Sequence, residues 1–331
     1  MRAREVRLTA RPKAMPGKDC FALVDVDVPV PRDGEVRVRN THMSVDPYMR
    51  GRMNEGRSYV PPFVVGAALE GGAVGVVEES RAPELPVETV VLSALGWRDY
   101  AVAPHRAFRP IDVTVAPPSA YLGVLGMPGL TAWVGLFAIG ELTAGETVFI
   151  SSAAGAVGST AGQLAKRRGA RVIGSSRSAE SAAILRERLR FDETLVVEAG
   201  NFATQLRAAA PDGIDVYFDN VGGEQLEAAL AVLRDFGRVI ACGMIANYNE
   251  PVPGPRNIAL VVPKRLRLQG FIVSDHTRRM PEFIADVAPA LAAGELTGLE
   301  TTVAGLERAP QALLSLFTPG AHVGKLIVTL P

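Results

Sequence analysis

The run Ala153-Ala154-Gly155-Ala156-Val157-Gly158 carries the strongest chemical signal in the sequence. It falls between an apolar stretch that reads as a strand, Thr147–Ser151, and a stretch rich in small residues that reads as a helix, Gly158–Arg168. Glycines at these places in a strand-turn-helix form the dinucleotide fingerprint, here with Ala153 standing for the first glycine. Gly155 would let the backbone approach a pyrophosphate, and Gly158 would let the helix pack tightly on the strand. Ala156 and Val157 lie where the helix opens, with free N–H groups and a positive dipole end facing phosphates. The alternative is a plain strand-to-helix turn, which the alternating strand and helix context disfavours.

The end of the second strand selects between cofactors. About 20 residues past the fingerprint, an Asp or Glu suits the ribose hydroxyls of NAD, whereas an arginine suits a 2′-phosphate. The sequence there is Gly174-Ser175-Ser176-Arg177-Ser178, with no acid until Glu180. Arg177, beside Ser176, can offer charged, bidentate hydrogen bonds to a phosphate that a carboxylate would repel. NADPH is the expected cofactor; a merely solvated Arg177 is the competing reading.

Other chemistries lack their parts. Cys20 and Cys242 are the only cysteines, and His42, His105, His276 and His322 show no metal-ligand spacing, so no metal site is expected. No Gly-x-Ser-x-Gly elbow suggests a hydrolase. Lys+Arg and Asp+Glu both number 35, leaving no basic field to hold nucleic acid or an anionic membrane. So few cysteines point to a reducing compartment, hence a cytoplasmic location, and the N-terminus MRAREVRLTA is not a signal peptide. Ser119–Gly140 carries no charge, but Pro128 and repeated glycines argue for buried packing between two domains over a membrane span.

These residues need a scaffold. The first part of the chain reads as β-rich, with alternating runs such as Glu35–Arg39 and Ala73–Val77 between Pro and Gly clusters. From about residue 120, strands at Thr147–Ser151, Arg171–Gly174, Leu195–Val197, Ile214–Phe218 and Arg238–Cys242 alternate with helices at Gly158–Arg168, Glu180–Leu189 and Glu224–Leu233. Gln269–Val273 can supply a sixth strand. Such alternation predicts a parallel sheet covered on both faces. Short strands return at the C-terminus, ending in Lys325–Leu330. The expectation is an α/β protein with a β domain at 1–120 and 296–331, interrupted by a doubly wound nucleotide-binding domain at 121–295.

Several stretches in this order resemble a known family. They include Ser44-Val45-Asp46-Pro47-Tyr48-Met49-Arg50, Gly126-Met127-Pro128-Gly129-Leu130-Thr131-Ala132, and Tyr217-Phe218-Asp219-Asn220-Val221-Gly222-Gly223. Cys242-Gly243-Met244-Ile245, Asn247-Tyr248-Asn249, Gln269-Gly270-Phe271-Ile272-Val273 and Val323-Gly324-Lys325 complete the set. The chain is similar over nearly its whole length to the zinc-independent medium-chain dehydrogenase/reductases of the leukotriene B4 dehydrogenase, prostaglandin reductase and 2-alkenal reductase group, including bacterial curcumin-reductase-like members. The resemblance implies a GroES-like β domain plus a Rossmann domain, a homodimer, and NADPH-dependent reduction of the carbon–carbon double bond of α,β-unsaturated aldehydes and ketones. It also implies nucleotide contacts from Gly155–Gly158, Asn220, Cys242–Tyr248 (with Gly243 and Met244), and Phe271, Ile272 and Val273. Three positions depart from the family pattern: a lysine falls at Ser181, a tyrosine at Val197 and an asparagine at His322.

In such a reaction hydride reaches the β-carbon and leaves an enolate, whose oxygen needs a donor. A phenol serves, because it stays protonated near neutral pH. Tyr248, following a nucleotide-domain strand, is the first candidate, with packing or ribose holding as its other reading. Tyr48, from the β domain, is the second, with a role as an interface anchor as its alternative. Cys242 reads as a small residue beside the cofactor rather than a nucleophile, Asp219 as an end-of-strand structural acid rather than a general acid, and Arg50 and Arg52 as solvated surface charges rather than attractors of acidic substrates. Quinone reductase, acyl enoyl reductase and a non-catalytic NADPH-binding protein remain the alternatives.

Overall fold

The computed structural model describes residues 1–198, 200–318 and 322–331. It divides into two units, one of Met1–Gly123 with Glu300–Pro331, the other of Val124–Leu299.

The first unit is built on β structure. Among the described residues, Arg2–Leu8 and Phe21–Asp27 form an antiparallel pair, and a seven-stranded sheet is centred on the long strand Glu35–Ser44. That strand pairs with Ala73–Ser80, Tyr100–Pro104 and the C-terminal strand Lys325–Thr329, which joins the sheet that Glu35–Ser44 begins. Its inward positions, Val36, Val38 and Met43, are fully buried, as the alternating pattern requires. Met43, Met49, Met53, Trp97 and Leu326 share one core cluster.

The second unit carries six parallel strands among the described residues. These are β1 (Thr147–Ile150), β2 (Arg171–Ser176), β3 (Glu193–Val196), β4 (Ile214–Asp219), β5 (Leu233–Ala241) and β6 (Arg267–Gly270). Their order, β3-β2-β1-β4-β5-β6, is that of a Rossmann sheet. The chain reverses direction between β1 and β4, and the crevice outside their carboxyl ends is where such sheets place ligands. Helices α1 (Met127–Val134), α2 (Ala156–Arg167), α3 (Ala179–Glu187), α4 (Phe202–Ala209), α5 (Gly223–Val232) and α6 (Met280–Ala292) complete the unit. β1 is buried at every position because helices cover both faces.

The uncharged segment before β1 is short helix, not a span. α1 runs into a π-turn at Gly135–Ile139, and no helix among the described residues is long and apolar enough to cross a membrane. Its glycines mark close packing against the sheet. A Cβ on Gly135 would fall 2.5 Å from the Phe218 ring of β4, and one on Gly140 2.5 Å from Cδ1 of Ile240 on β5.

Two expectations need correction. The sixth strand is Arg267–Gly270; Phe271 and Ile272 lie beyond it, and Val273 begins a 3-10 helix that runs to Arg279. Among the described residues β6 has one neighbour, β5, and pairing with Arg238–Ala241 sets its ends rather than the apolar run Phe271-Ile272-Val273. Helices α4 and α6, and the helix Ala309–Ser315 in the first unit, also form where the sequence reading named none.

Candidate active site

The fingerprint lies where β1 ends and α2 begins. Ser152 takes a left-handed backbone conformation, φ +50°, which turns the chain sharply after the strand. Gly155 is the N-cap of α2 and has no side chain to satisfy the helix's first N–H groups. Ser159 N–H makes the first return bond, to Gly155 at 2.9 Å, so the N–H groups of Ala156, Val157 and Gly158 precede the helical ladder. An uncapped helix of this length presents donors and a dipole that suit a pyrophosphate.

Close packing explains both glycines of the helix start and the missing third. A Cβ on Gly158 would lie 2.5 Å from the Ser152 carbonyl and 2.7 Å from Ala153 Cα, so the helix rests directly on the turn. Ala153 is fully buried, and its methyl is accommodated by Gly174 of β2, whose own Cβ would lie 2.8 Å from it. The Phe191 ring fills the rest of that space, 2.7 Å from the same imagined Cβ. A glycine on the neighbouring strand thus leaves room for the methyl that Ala153 adds at the first-glycine position.

At the end of β2, Ser176 is buried and donates to Ser178 C=O at 2.9 Å. Ser178 caps α3, accepting from Ser181 N–H at 3.1 Å, and the two hydroxyls are 2.9 Å apart. Ser181, the position of the family lysine, is therefore buried within a helix cap. Arg177 is an exposed residue between Ser176 and the cap residue Ser178. Desolvation of its guanidinium lowers its pKa from the ordinary arginine range, and an anion placed there would reverse that cost. Val197, the position of the family tyrosine, donates its N–H to Ser176 C=O at 2.9 Å.

The exits of β1, β4 and β5 adjoin. Asn220 donates its backbone N–H to Ser151 Oγ and its Nδ2 to Ser151 C=O, both at 2.8 Å. Ile245 N–H donates to Asn220 C=O at 3.3 Å, and Ala246 N–H to Val221 C=O at 3.1 Å. The 3-10 turn Ile245–Asn247 leads into Tyr248, which is half-buried. A Cβ on Gly243 would lie 3.4 Å from the Tyr248 hydroxyl, so Gly243 leaves room for that phenol. Met244 packs over Gly222 in the same way, 3.3 Å from where its Cβ would be. Burial, with Asp219 nearby, pushes the Cys242 thiol up to about 12, so it stays protonated and is no nucleophile at neutral pH. After β6, Phe271 reaches Gly135 and meets His276 edge-on at 6.2 Å, while Ile272 and Val273 are half-buried beside it.

Tyr48 belongs to the first unit, at the start of the short helix Tyr48–Arg52. Burial, and then the charge of Asp46, raise its pKa well above that of a free phenol, so it remains a donor. The segment before it is anchored from the C-terminal strand: Lys325 Nζ, itself buried, donates to Asp46 Oδ1 at 3.0 Å and to Val45 C=O at 2.7 Å. Ser44 Oγ closes on the other Asp46 oxygen. Arg50 and Arg52 are not surface charges, a correction to the sequence reading. They are 2% and 8% exposed. Arg50 donates to Asn54 and to Ala14 C=O, while Arg52 donates to Pro61 C=O and Glu70 and stacks on Phe63 at 4.1 Å. Carbonyl acceptors and an aromatic face stand in for water.

The structure thus brings Gly155–Gly158, Asn220, Cys242–Met244 and Tyr248 to one rim of the second unit, with Ser176 and Arg177 at the end of β2. Tyr48 stands in the other unit. Sequence reading missed the part of Ser151, which ties β1 to β4 and has no local signature. Among the described residues, no three His, Cys, Asp or Glu side chains are grouped to hold a metal ion.

Residues 4–111 match the family described as the N-terminal domain of oxidoreductase, and residues 156–288 match zinc-binding dehydrogenase. The NADPH-dependent curcumin reductase of Escherichia coli is 39% identical over 328 residues, covering 97% of this chain and 95% of the relative. The NADP(+)-dependent 2-alkenal reductase of Nicotiana tabacum is 40% identical over 311 residues, covering 92% and 90%. The crystal structure of CurA from Vibrio vulnificus in complex with NADPH superposes with a TM-score of 0.93 at 39% identity, covering 99% of each chain.

Proposed function

Because the chain belongs to the zinc-independent medium-chain dehydrogenase/reductase family, we propose that it reduces the carbon–carbon double bond of α,β-unsaturated aldehydes and ketones. It is an NADPH-dependent oxidoreductase. The uncapped start of α2, the glycine contact beneath it and the arginine after β2 all fit that cofactor. When bound, NADPH supplies the hydride that the β-carbon accepts.

The protein's own residues do the rest. The N–H groups of Ala156, Val157 and Gly158 hold the pyrophosphate, Gly155 lets the backbone approach it, and Ser176 and Arg177 take the 2′-phosphate. Asn220, Cys242, Gly243, Met244, Phe271, Ile272 and Val273 line the nicotinamide end. Tyr248 donates a hydrogen bond from its hydroxyl to the enolate oxygen as charge develops there, with Tyr48 the second candidate, and a proton from solvent then reaches the α-carbon to give the saturated carbonyl. Burial holds the pKa of Tyr48 above that of a free phenol, which suits a donor rather than a base. The observation that carries the reading is the placement of Tyr248, whose hydroxyl lies over Gly243 at the carboxyl ends of β4 and β5.

Two further readings go with it. The exposed edge strand β6 supports a twofold homodimer formed by sheet extension, since an open edge is otherwise a liability. Two cysteines without a disulfide framework support a cytoplasmic enzyme. Incubation with NADPH and a simple enone tests the reaction: a saturated carbonyl product supports it, and an allylic alcohol or no turnover counts against it.

A further inference from the structure

Asp219, the last residue of β4, is a buried acid that the proposed chemistry leaves without a task. None of its surface is exposed. Burying a carboxyl costs several kcal/mol unless its oxygens are well satisfied, so what it holds needs explaining. Nearly all its hydrogen bonds converge on one oxygen. Oδ1 accepts from Tyr217 O–H at 2.7 Å, Gly222 N–H at 2.7 Å and Val221 N–H at 2.9 Å, with Ser151 Oγ at 3.3 Å. Oδ2 is buried with no hydrogen-bond partner. Its backbone carbonyl serves the neighbouring strand, accepting from Cys242 N–H at 2.9 Å and Gly243 N–H at 3.0 Å.

The loop that Oδ1 grips is not one the chain would hold by itself. Gly222 and Gly223 are both left-handed, φ +74° and +54°, a conformation with no preference of its own for this path. From that loop hang Asn220 C=O and Val221 C=O, the acceptors for Ile245 and Ala246, and thus the turn that carries Tyr248. One carboxyl oxygen therefore sets both the Asn220 loop and the support of the Tyr248 turn.

We infer that Asp219 is a positioning residue, which holds the β4 and β5 exit loops in the shape that binds the nicotinamide end of NADPH. It touches neither substrate nor proton traffic, since both carboxyl oxygens are sealed from solvent. Burial also raises its pKa, which removes it further from acting as a ready carboxylate. What the loop requires is an acceptor oxygen at Oδ1, not a charge. The inference rests on NADPH binding and not on the enone as substrate.

The test is a set of three variants, each assayed for NADPH affinity by cofactor fluorescence and for thermal stability. Asp219→Asn keeps an acceptor oxygen in the Oδ1 position, while its NH2 gains no partner. It should lose some stability yet bind NADPH within about threefold of the wild type. Asp219→Ala abandons Val221 N–H, Gly222 N–H and Tyr217 O–H and should bind NADPH at least ~10-fold more weakly, about the effect of one lost hydrogen bond. Asp219→Ser, whose hydroxyl can still accept from a backbone N–H two residues on, should fall between them. Asp219→Asn binding as poorly as Asp219→Ala would overturn the inference, because charge and not acceptor geometry would then matter. So would Asp219→Ala with wild-type affinity. If the alanine variant does not fold, Asp219→Ser binding NADPH as tightly as Asp219→Asn or more tightly overturns it as well, because one hydroxyl cannot serve Gly222 N–H, Val221 N–H and Tyr217 O–H together. A wild type that binds NADPH but leaves enones unreduced would refute the substrate reading and leave this ordering intact.

Discussion

Replacing Gly158 by alanine should damage cofactor binding more than its single methyl suggests. The new Cβ would meet the Ser152 carbonyl at 2.5 Å and Ala153 Cα at 2.7 Å, both of them backbone. Ordinary contacts of about 3.5 Å would require α2 to withdraw by roughly 0.8–1 Å. Ser152 is already in a left-handed conformation, so the turn has little room to yield instead. Overpacking of this kind costs ~1–3 kcal/mol, of which alanine's better helix propensity returns up to ~1 kcal/mol. The expected net loss of ~1–2 kcal/mol lowers Tm by roughly 2–8 °C for a domain of this size. A retreat of that size also stretches hydrogen bonds from the helix start past their useful length. Losing one bond to a charged phosphate, worth ~1.5–3 kcal/mol, weakens NADPH binding about 10- to 100-fold. Fluorescence titration and a thermal melt measure both effects. Affinity within twofold of the wild type and an unchanged Tm would refute the packing argument.

Three further outcomes follow from the same geometry. Arg177→Ala should cost ~1–3 kcal/mol of NADPH affinity and leave NADH affinity nearly unchanged; equal titration curves for the two cofactors in the wild type would remove the argument. Tyr248→Phe should lower kcat by up to ~10²–10³ with NADPH affinity nearly intact, whereas a tyrosine that only holds the ribose would weaken cofactor binding and spare kcat. Tyr48→Phe measured alongside decides which phenol is the donor, and a double variant with wild-type kcat would exclude both. Light scattering at micromolar concentration should report a dimer, and a monomer alone would count against pairing through β6.

Much of the second unit is legible in the sequence because its strands are buried on both faces. Val148–Ile150 and Val216–Phe218 are short apolar runs at the centres of Thr147–Ile150 and Ile214–Asp219, and the structure ends both strands within a residue or two of the expected places. The edge strand is different. Among the described residues β6 pairs on one side only, and it is exposed at every position, so its composition carries little strand signal, and the apolar Phe271-Ile272-Val273 drew the reading three residues too far. The fingerprint was readable, but its compensation was not, because Gly174 and Phe191 meet Ala153 only in three dimensions. The same holds for Ser151 and Asp219, which are 68 positions apart and joined by hydrogen bonds with no local pattern. Arg50 and Arg52 mislead for a related reason: guanidinium groups are expected in water, and only the fold supplies the carbonyls of Ala14 and Pro61 that replace it.

The central claim is that hydride from NADPH reaches a β-carbon. NADPH deuterated at the transferring position of the nicotinamide, incubated with the enzyme and a simple enone, tests it at the atom concerned. The account predicts a saturated ketone carrying one deuterium on the former β-carbon, with the carbonyl intact. Deuterium on the carbonyl carbon of an allylic alcohol, or cofactor oxidation that leaves the enone unlabelled, would contradict it.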